Sequence, residues 1–285
     1  MRNGAAARVG TDRFSVRSSD GTPLAVWVDG AGPPLVLVHG SLSDHTTFEP
    51  LVHELRDAVR TFSMDRRGFG ASGDAAGYSI EREFEDVSAV VAAVAARTGS
   101  PVALWGHSYG AGCAMGGAAR TSDVGRLVLY EPGLGIAYPA GSIEEVEAAV
   151  AAGDMEAAVV AVLLGILEMT VEDVDALRAS PRWPVLLAAG PTVPRECRVE
   201  RGWVYRPGQF DAIAARHCCW PAPRAHPCSR RPPVQRRRRS PTLGSGRWRG
   251  MATSPTRPIP PWSPPSSGGS SSPPSGEARC RALAS

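Results

Sequence analysis

A serine with glycine two residues away on either side, Gly106-His107-Ser108-Tyr109-Gly110, is where residue type and spacing first point to chemistry in this chain. A serine hydroxyl is a weak nucleophile until geometry and a neighbouring base activate it. The flanking residues supply the geometry. The apolar run 102–105 has strand length and the small, alanine-rich segment 111–119 follows at helical spacing, which predicts strand, sharp turn, then helix. On so tight a turn the serine backbone is strained, and glycines on both sides leave room for it. The helix that follows aims unpaired N–H groups and its positive end at the hydroxyl. Ser108 is therefore the candidate nucleophile. The competing reading is an ordinary strand-to-helix turn, since the pattern recurs by chance in a chain with 31 glycines; the strand and helix around it argue against that.

Other elements must bring partners to this serine. Residues 14–17 and 24–28 alternate or run apolar around Ser19-Asp20-Gly21-Thr22-Pro23, which predicts a hairpin at a sheet edge. Residues 35–38 are continuously apolar, as a strand covered on both faces must be, and they end in His39-Gly40-Ser41-Leu42. A tetrahedral oxyanion needs preorganised N–H donors, and this loop can offer that of Ser41 or Leu42 beside that of Tyr109. His39 reads as a structural histidine of the loop rather than as a base. A helix over 48–59, a strand over 61–64, a glycine-broken loop Asp65-Arg66-Arg67-Gly68-Phe69-Gly70-Ala71-Ser72 and a helix over 78–96 lead to the serine strand. A further buried strand, 126–130, ends in Glu131. Functional groups collect at the carboxyl ends of strands in open parallel sheets, and Ser41, Ser108 and Glu131 all fall there. Glu131 is a candidate acid for orienting a base, or else a structural or solvated carboxylate.

Residues 24–135 resemble the α/β-hydrolase superfamily. The likeness rests on His39-Gly40 after its strand, Asp65-x-Arg67-Gly68-x-Gly70-x-Ser72, Gly106-His107-Ser108-Tyr109-Gly110 and Leu127-Val128-Leu129-Tyr130-Glu131-Pro132, in the superfamily's order and spacing. The resemblance implies an α/β fold with a mostly parallel, doubly wound sheet, a serine nucleophile and a helical cap. Serine at 108 sets the chain apart from the dehalogenase and epoxide-hydrolase relatives, which place aspartate there. The expected division is a core over 1–139, a cap over 140–200 and a return to the core over 201–215. Helices are predicted at 143–152 and 155–169, separated by Gly153; they either roof the site or complete the core.

The resemblance then breaks off. A strand of the type Pro-Thr-Leu-Leu-Leu-x-Gly and a late loop carrying the base histidine should follow, and neither is present. All 31 basic residues are arginine, and the net charge of +3 conceals a split. Residues 1–215 hold 18 arginines against 27 acids, a balance of −9, while 216–285 hold 13 arginines against one acid, a balance of +12. The second stretch also holds 14 prolines and 12 serines, includes Arg236-Arg237-Arg238-Arg239, and has no periodic apolar segment, so it is expected to be a disordered tail.

The genetic code gives this change a cause. If the original triplets began at the last base of each present codon, the junctions His217-Cys218, Cys218-Cys219 and Cys219-Trp220 each encode leucine whatever the synonymous codons, and Trp220-Pro221 encodes alanine. The flanking junctions permit Pro-Thr before and Gly after, which restores Pro-Thr-Leu-Leu-Leu-Ala-Gly. Further on, 247–253 permit Leu-Ala-Gly-His-Gly-His, with the second glycine forced by Met251-Ala252. The expectation is that residues from about Ala215 onward are out of frame, through a mutation or a sequence error, and that the base went with them.

No apolar run has the length of a membrane span and the first ten residues lack the apolar stretch of a secretory signal, so the expected location is cytoplasmic. The six cysteines show no metal spacing, no motif implies a cofactor or metal, and the expected partner is a small carbonyl substrate. Neither nucleic acid nor membrane is expected as a partner. The competing class is a non-catalytic hydrolase-like protein whose arginine tail binds nucleic acid or an acidic surface.

Overall fold

The computed structural model describes residues 12–133, 138–204, 206 and 208–220, with the backbone alone described for 216–220. A seven-stranded sheet in the order β1-β2-β4-β3-β5-β6-β7 forms the centre. Strands β1 (Asp12–Arg17) and β2 (Pro23–Gly30) make the expected antiparallel hairpin, and β2 pairs antiparallel with β4 (Arg60–Met64). From there the sheet is parallel: β3 (Pro34–Val38) lies between β4 and β5 (Val102–His107), and β6 (Val124–Tyr130) follows β5. The inner strands β3 and β5 are the continuously apolar ones, because parallel strands are covered on both faces.

The helices of the core are placed by their apolar faces. In α2 (Ile80–Thr98) Val87, Val90, Val91 and Val94 repeat at helical spacing and are fully buried, while Ser79 caps the start and Gly99, at φ 65°, ends it. Helix α3 (Tyr109–Ala118) packs against α2 at close range because it is built of glycine and alanine. A Cβ on Gly116 would lie 2.1 Å from the Phe84 ring. The predicted helix over 48–59 is shorter than expected, with a 3-10 turn at His45–Phe48 and α1 confined to Glu49–Leu55.

Among the described residues five helices form a separate layer: α4 (Ser142–Ala151), α5 (Met155–Val160), α6 (Val171–Arg178), α7 (Trp183–Ala189) and α8 (Val193–Gly202). The helix predicted over 155–169 changes to π-type hydrogen bonding at Ala161–Ile166 and stops there. This layer has its own core of Ile143, Val146, Val159, Leu163 and Leu186, closed by Leu42 and Phe69 from loops of the sheet. Helix α7 and most of α8 lie where the residue pattern predicts no helix. Pro184 and Pro194 stand in their first turns, where proline is tolerated because the N–H it lacks would have no partner.

One expectation is corrected at the end of the described chain. Composition predicts a tail that contributes nothing from residue 216 onward, yet Arg216–Trp220 form β7, parallel to β6, with His217 opposite Leu127. Five extended residues of any composition can satisfy the backbone of a strand edge, which is why charge and proline counts do not reveal this. The late histidine loop, the arginine run and the rest of the tail lie outside the described residues. Among the described residues no helix is long and apolar enough to cross a membrane.

Candidate active site

The serine turn is built as its spacing requires. Ser108 stands between β5 and α3 at φ 53°, ψ −124°, a conformation that side chains rarely adopt. Its N–H donates to the Tyr130 carbonyl, and its carbonyl accepts from Ala111 and Gly133, so the strained residue is held from three sides. The two glycines are there for space. A Cβ on Gly110 would lie 2.1 Å from the His39 carbonyl oxygen, and one on Gly106 would lie 2.5 Å from that of Gly110. The Ser108 side chain is half-buried, and among the described residues its hydroxyl has no hydrogen-bond partner.

The loop after β3 touches the serine: a Cβ on Gly40 would lie 3.0 Å from the Ser108 Cβ. Leu42 is buried at φ 51°, its side chain in the core of the helical layer, and Ser41 is half-buried beside it. Tyr109 opens α3, so its N–H is among the first-turn donors with no partner inside the helix. The structure thus places the loop that carries Ser41 and Leu42 against Ser108 at Gly40, with Tyr109 next to the serine in the chain.

His39 is a structural residue. Its Nδ1 contacts the Gly40 carbonyl at 2.8 Å and its Nε2 accepts from the Arg66 N–H at 3.0 Å, so both ring nitrogens are engaged in the neutral form. Burial, with the Arg66 charge beside it, holds its pKa down to about 3.

Glu131 follows β6 at φ 49°, with its side chain 28% exposed. Its carboxylate faces His107, with Oε2 3.8 Å from Nε2. That histidine stacks near Trp105 and Tyr130. Burial lowers the His107 pKa, Glu131 works against that, and Arg182 adds to it. Glu131 therefore reaches the edge of the serine turn, pointed at the residue before Ser108. His45 is committed elsewhere, with Nδ1 2.8 Å from Asp65 and its ring stacked on Trp27. No histidine among the described residues hydrogen-bonds to Ser108.

The Asp65–Ser72 motif proves to be scaffolding. The Asp65 carboxylate takes hydrogen bonds from Trp27, His45 and Ala71, which outweigh its burial and keep its pKa low. Arg67 grips Asp86 through Nε and Nη2. Arg66 is wholly buried beneath the serine turn, bonded to Glu83 at 2.9 Å, Glu196 at 2.5 Å and the Gly40 carbonyl at 3.1 Å, with the rings of Phe69 and Tyr109 against its guanidinium. It ties the sheet loops to α2 and α8.

Two residues that belong to no sequence motif, Gly133 and Glu200, complete the surroundings. A Cβ placed on Gly133 would lie 3.5 Å from Ser108 Oγ and 2.9 Å from Glu200 Oε1, so helix α8 brings the Glu200 carboxyl close to the serine turn and leaves no room for a side chain at Gly133. Glu200 is 6% exposed and accepts from the Tyr138 hydroxyl through Oε2. Burial pushes its pKa up to about 8, against the Tyr138 hydrogen bond and with help from Glu196. An open cavity of about 320 Å³ by Arg120, Thr121 and Ala212 lies at the other end of α3 and has no part in this site. Among the described residues no group of histidine, cysteine and carboxylate side chains is arranged to hold a metal ion.

Comparison with known proteins gives the family and the fold. The profile of the Alpha/beta hydrolase family matches residues 35–267. A 2-(acetamidomethylene)succinate hydrolase of Mesorhizobium japonicum is 33% identical over 127 residues, 44% of this chain and 45% of that protein. The chain thus spans under half the length of that relative. An alpha/beta hydrolase of Sphaerobacter thermophilus superposes with a TM-score of 0.64 at 31% identity, covering 72% of this chain and 80% of the other. The enol-lactonase of Burkholderia xenovorans superposes at 0.55 with 22% identity, over 73% and 80% of the two chains, and shares the fold.

Proposed function

Because the chain belongs to the alpha/beta hydrolase family, we propose that its site is that of a serine hydrolase acting on a small carbonyl compound through an acyl-enzyme on Ser108. The observation that carries the reading is the strained, half-exposed Ser108, wedged between the Gly40 loop and the first turn of α3. In the reaction a base removes the Ser108 proton as Oγ bonds to the carbonyl carbon. The N–H groups of Tyr109 and of Ser41 or Leu42 hold the oxyanion. The leaving group departs with the proton, and water then releases the acyl group as a carboxylic acid. Glu131 is the first choice for the acid that orients the base; the alternative is an acid in the loop lost with the frame. Carboxylic esters, lactones, amides and carbon–carbon bonds beside a ketone are all open to this constellation, since the fold does not choose the substrate.

The base is the missing part. The proposal is that the histidine belongs to the loop which the shifted frame restores over 247–253, so that the chain as written retains little activity. The test treats two purified proteins, the chain as written and a version with the frame restored after Ala215, with an activated short-chain aryl ester and a serine-reactive fluorophosphonate. The expected result is ester turnover and labelling at Ser108 in the restored protein only. Full activity in the chain as written overturns the frame argument and assigns the base to one of its present histidines. Labelling in neither protein removes Ser108 as the nucleophile.

A further inference from the structure

The loop that carries Ser41 and Leu42 is gripped at both ends by two successive buried residues, Asp65 and Arg66, which follow β4. At its start the Gly40 carbonyl accepts from Arg66 Nη2 at 3.1 Å. The Arg66 N–H donates to His39 Nε2 at 3.0 Å, which leaves the ring proton on Nδ1, and Nδ1 donates to the same Gly40 carbonyl at 2.8 Å. At the far end Asp65 Oδ1 accepts from the His45 N–H at 2.9 Å and from its Nδ1 at 2.8 Å. The other Asp65 oxygen is held by Trp27 Nε1 and the Ala71 N–H, so this carboxylate has a fixed position.

Between the two grips the backbone carries strain and open donors. Leu42 stands at φ 51°, a conformation that persists only where the surroundings impose it. Neither the Ser41 nor the Leu42 N–H has a hydrogen-bond partner among the described residues, although Leu42 is buried. Buried backbone N–H groups are nearly always paired, so donors left open in a loop this tightly held are free for an acceptor that binds there. The direction of one of them is fixed. No peptide bond among the described residues is cis, and in a planar trans unit the N–H points opposite to the carbonyl. With the Gly40 carbonyl turned onto Arg66 and His39, the Ser41 N–H is turned away from that buried pair. Gly40 itself packs on the serine, since a Cβ there would lie 3.0 Å from the Ser108 Cβ.

We propose that Arg66 is a positioning residue for the reaction at Ser108: by holding the Gly40 carbonyl it aims the Ser41 N–H at the oxyanion formed there, while Asp65 fixes the other end of the loop. The proposal rests on the reading of Ser108 as the reacting group. It assigns the loop donor to Ser41 and gives the buried guanidinium a task beyond its ion pairs with Glu83 and Glu196. Arg66 acts only through the loop. Its loss frees the Gly40–Ser41 peptide to turn over, whereas the Tyr109 N–H, set by the first turn of α3, keeps its direction.

The test follows two amide protons by nuclear magnetic resonance in the full chain as written, labelled with nitrogen-15 at serine and tyrosine. The Ser41 signal is identified by its loss in Ser41→Ala and that of Tyr109 by its loss in Tyr109→Phe. The probe is phenylboronic acid. Ser108 Oγ bonds to the boron and gives its proton to solvent, and the trigonal boron becomes a tetrahedral anion, seen in the boron spectrum, with an oxygen in the place of the oxyanion. In the parent both amide protons are expected to move downfield on saturation. In Arg66→Met the Tyr109 shift is expected to remain and the Ser41 shift to be lost, with boronate binding about tenfold weaker. Adding Glu83→Gln and Glu196→Gln removes the charges stranded by the lost arginine, and this triple variant is expected to regain stability without regaining the Ser41 shift. It also carries the measurement should Arg66→Met fail to fold, as judged by circular dichroism. A merely structural arginine gives the opposite result, a Ser41 shift that returns with stability, and that outcome overturns the proposal. So does a parent in which Tyr109 shifts and Ser41 does not, which leaves the Ser108 reading standing. No tetrahedral boron in the parent also overturns it, and labelling of Ser108 in the restored protein then shows whether the serine reading has failed as well.

Discussion

Ser108 and Glu200 differ in how far residue order marks them. Ser108 is defined by its neighbours in the chain: the apolar strand, the two glycines and the small-residue helix all adjoin it, and each imposes a local geometry. Residue order alone therefore marks it. Glu200 has no such local signature, because its chemistry comes from Gly133, Tyr138 and Glu196 and from burial that only the tertiary fold supplies. Its elevated pKa also bears on stability. Between its ordinary value of 4.5 and about 8 the folded protein holds a proton that the unfolded chain has released. The stabilisation is therefore complete below about pH 4.5 and is lost as pH rises toward 8. Glu200→Gln removes this slope. Urea unfolding of both proteins at about pH 5 and about pH 9 is expected to show the variant gaining on the parent by roughly 2–5 kcal/mol across that interval. An unchanged difference between the two pH values means that Glu200 titrates normally.

At the scale of elements, the helical layer is fastened to the sheet by charge as well as by packing. Arg66 leaves the carboxyl end of β4, lies wholly buried under the serine turn, and bonds to Glu83 of α2 and Glu196 of α8. In sequence the surrounding Asp65–Ser72 segment reads as a loop in which Arg66 has no role of its own, since a buried arginine and an exposed one are written alike. The helices over 183–202 are equally hard to read, because proline and glycine there look like breakers when the prolines in fact stand in first turns. Breaking a buried ion network by removing its cation strands the carboxylates around it, and this cost exceeds what the intact network contributes relative to apolar packing. Arg66→Met is expected to destabilise the protein by about 3–5 kcal/mol in urea unfolding. Adding Glu83→Gln and Glu196→Gln to that variant is expected to restore part of the loss by removing the stranded charges. A single loss that the added substitutions deepen means that packing of the arginine stem, rather than charge, holds α8 in place.

The whole molecule joins two compositions, and the join falls at the edge of a strand. The acidic stretch up to 215 supplies the sheet through β6 and all eight α-helices among the described residues, and its pattern makes the order of the elements readable. Past 215 the pattern fails, as the proposed frame change would make it do, since such a change keeps nucleotide composition while discarding the apolar period that folding reads. What survives is β7, where backbone pairing alone suffices. In the shifted frame the same codons give three consecutive leucines followed by alanine, side chains that a strand packed between helices can bury. On the proposed frame change, the two frames would make different proteins from one core. Truncating the chain after Trp220 removes text with no apolar period, so its melting temperature is expected to fall within about 3 °C of that of the full chain. The restored frame adds buried leucines, at about 1.5–3 kcal/mol for each side chain, and is expected to melt more than about 5 °C higher. Calorimetric melts of the three proteins test this directly. If the truncated chain loses stability as large as the restored chain would gain, the arginine- and proline-rich segment is itself part of the core, and the frame argument falls with it.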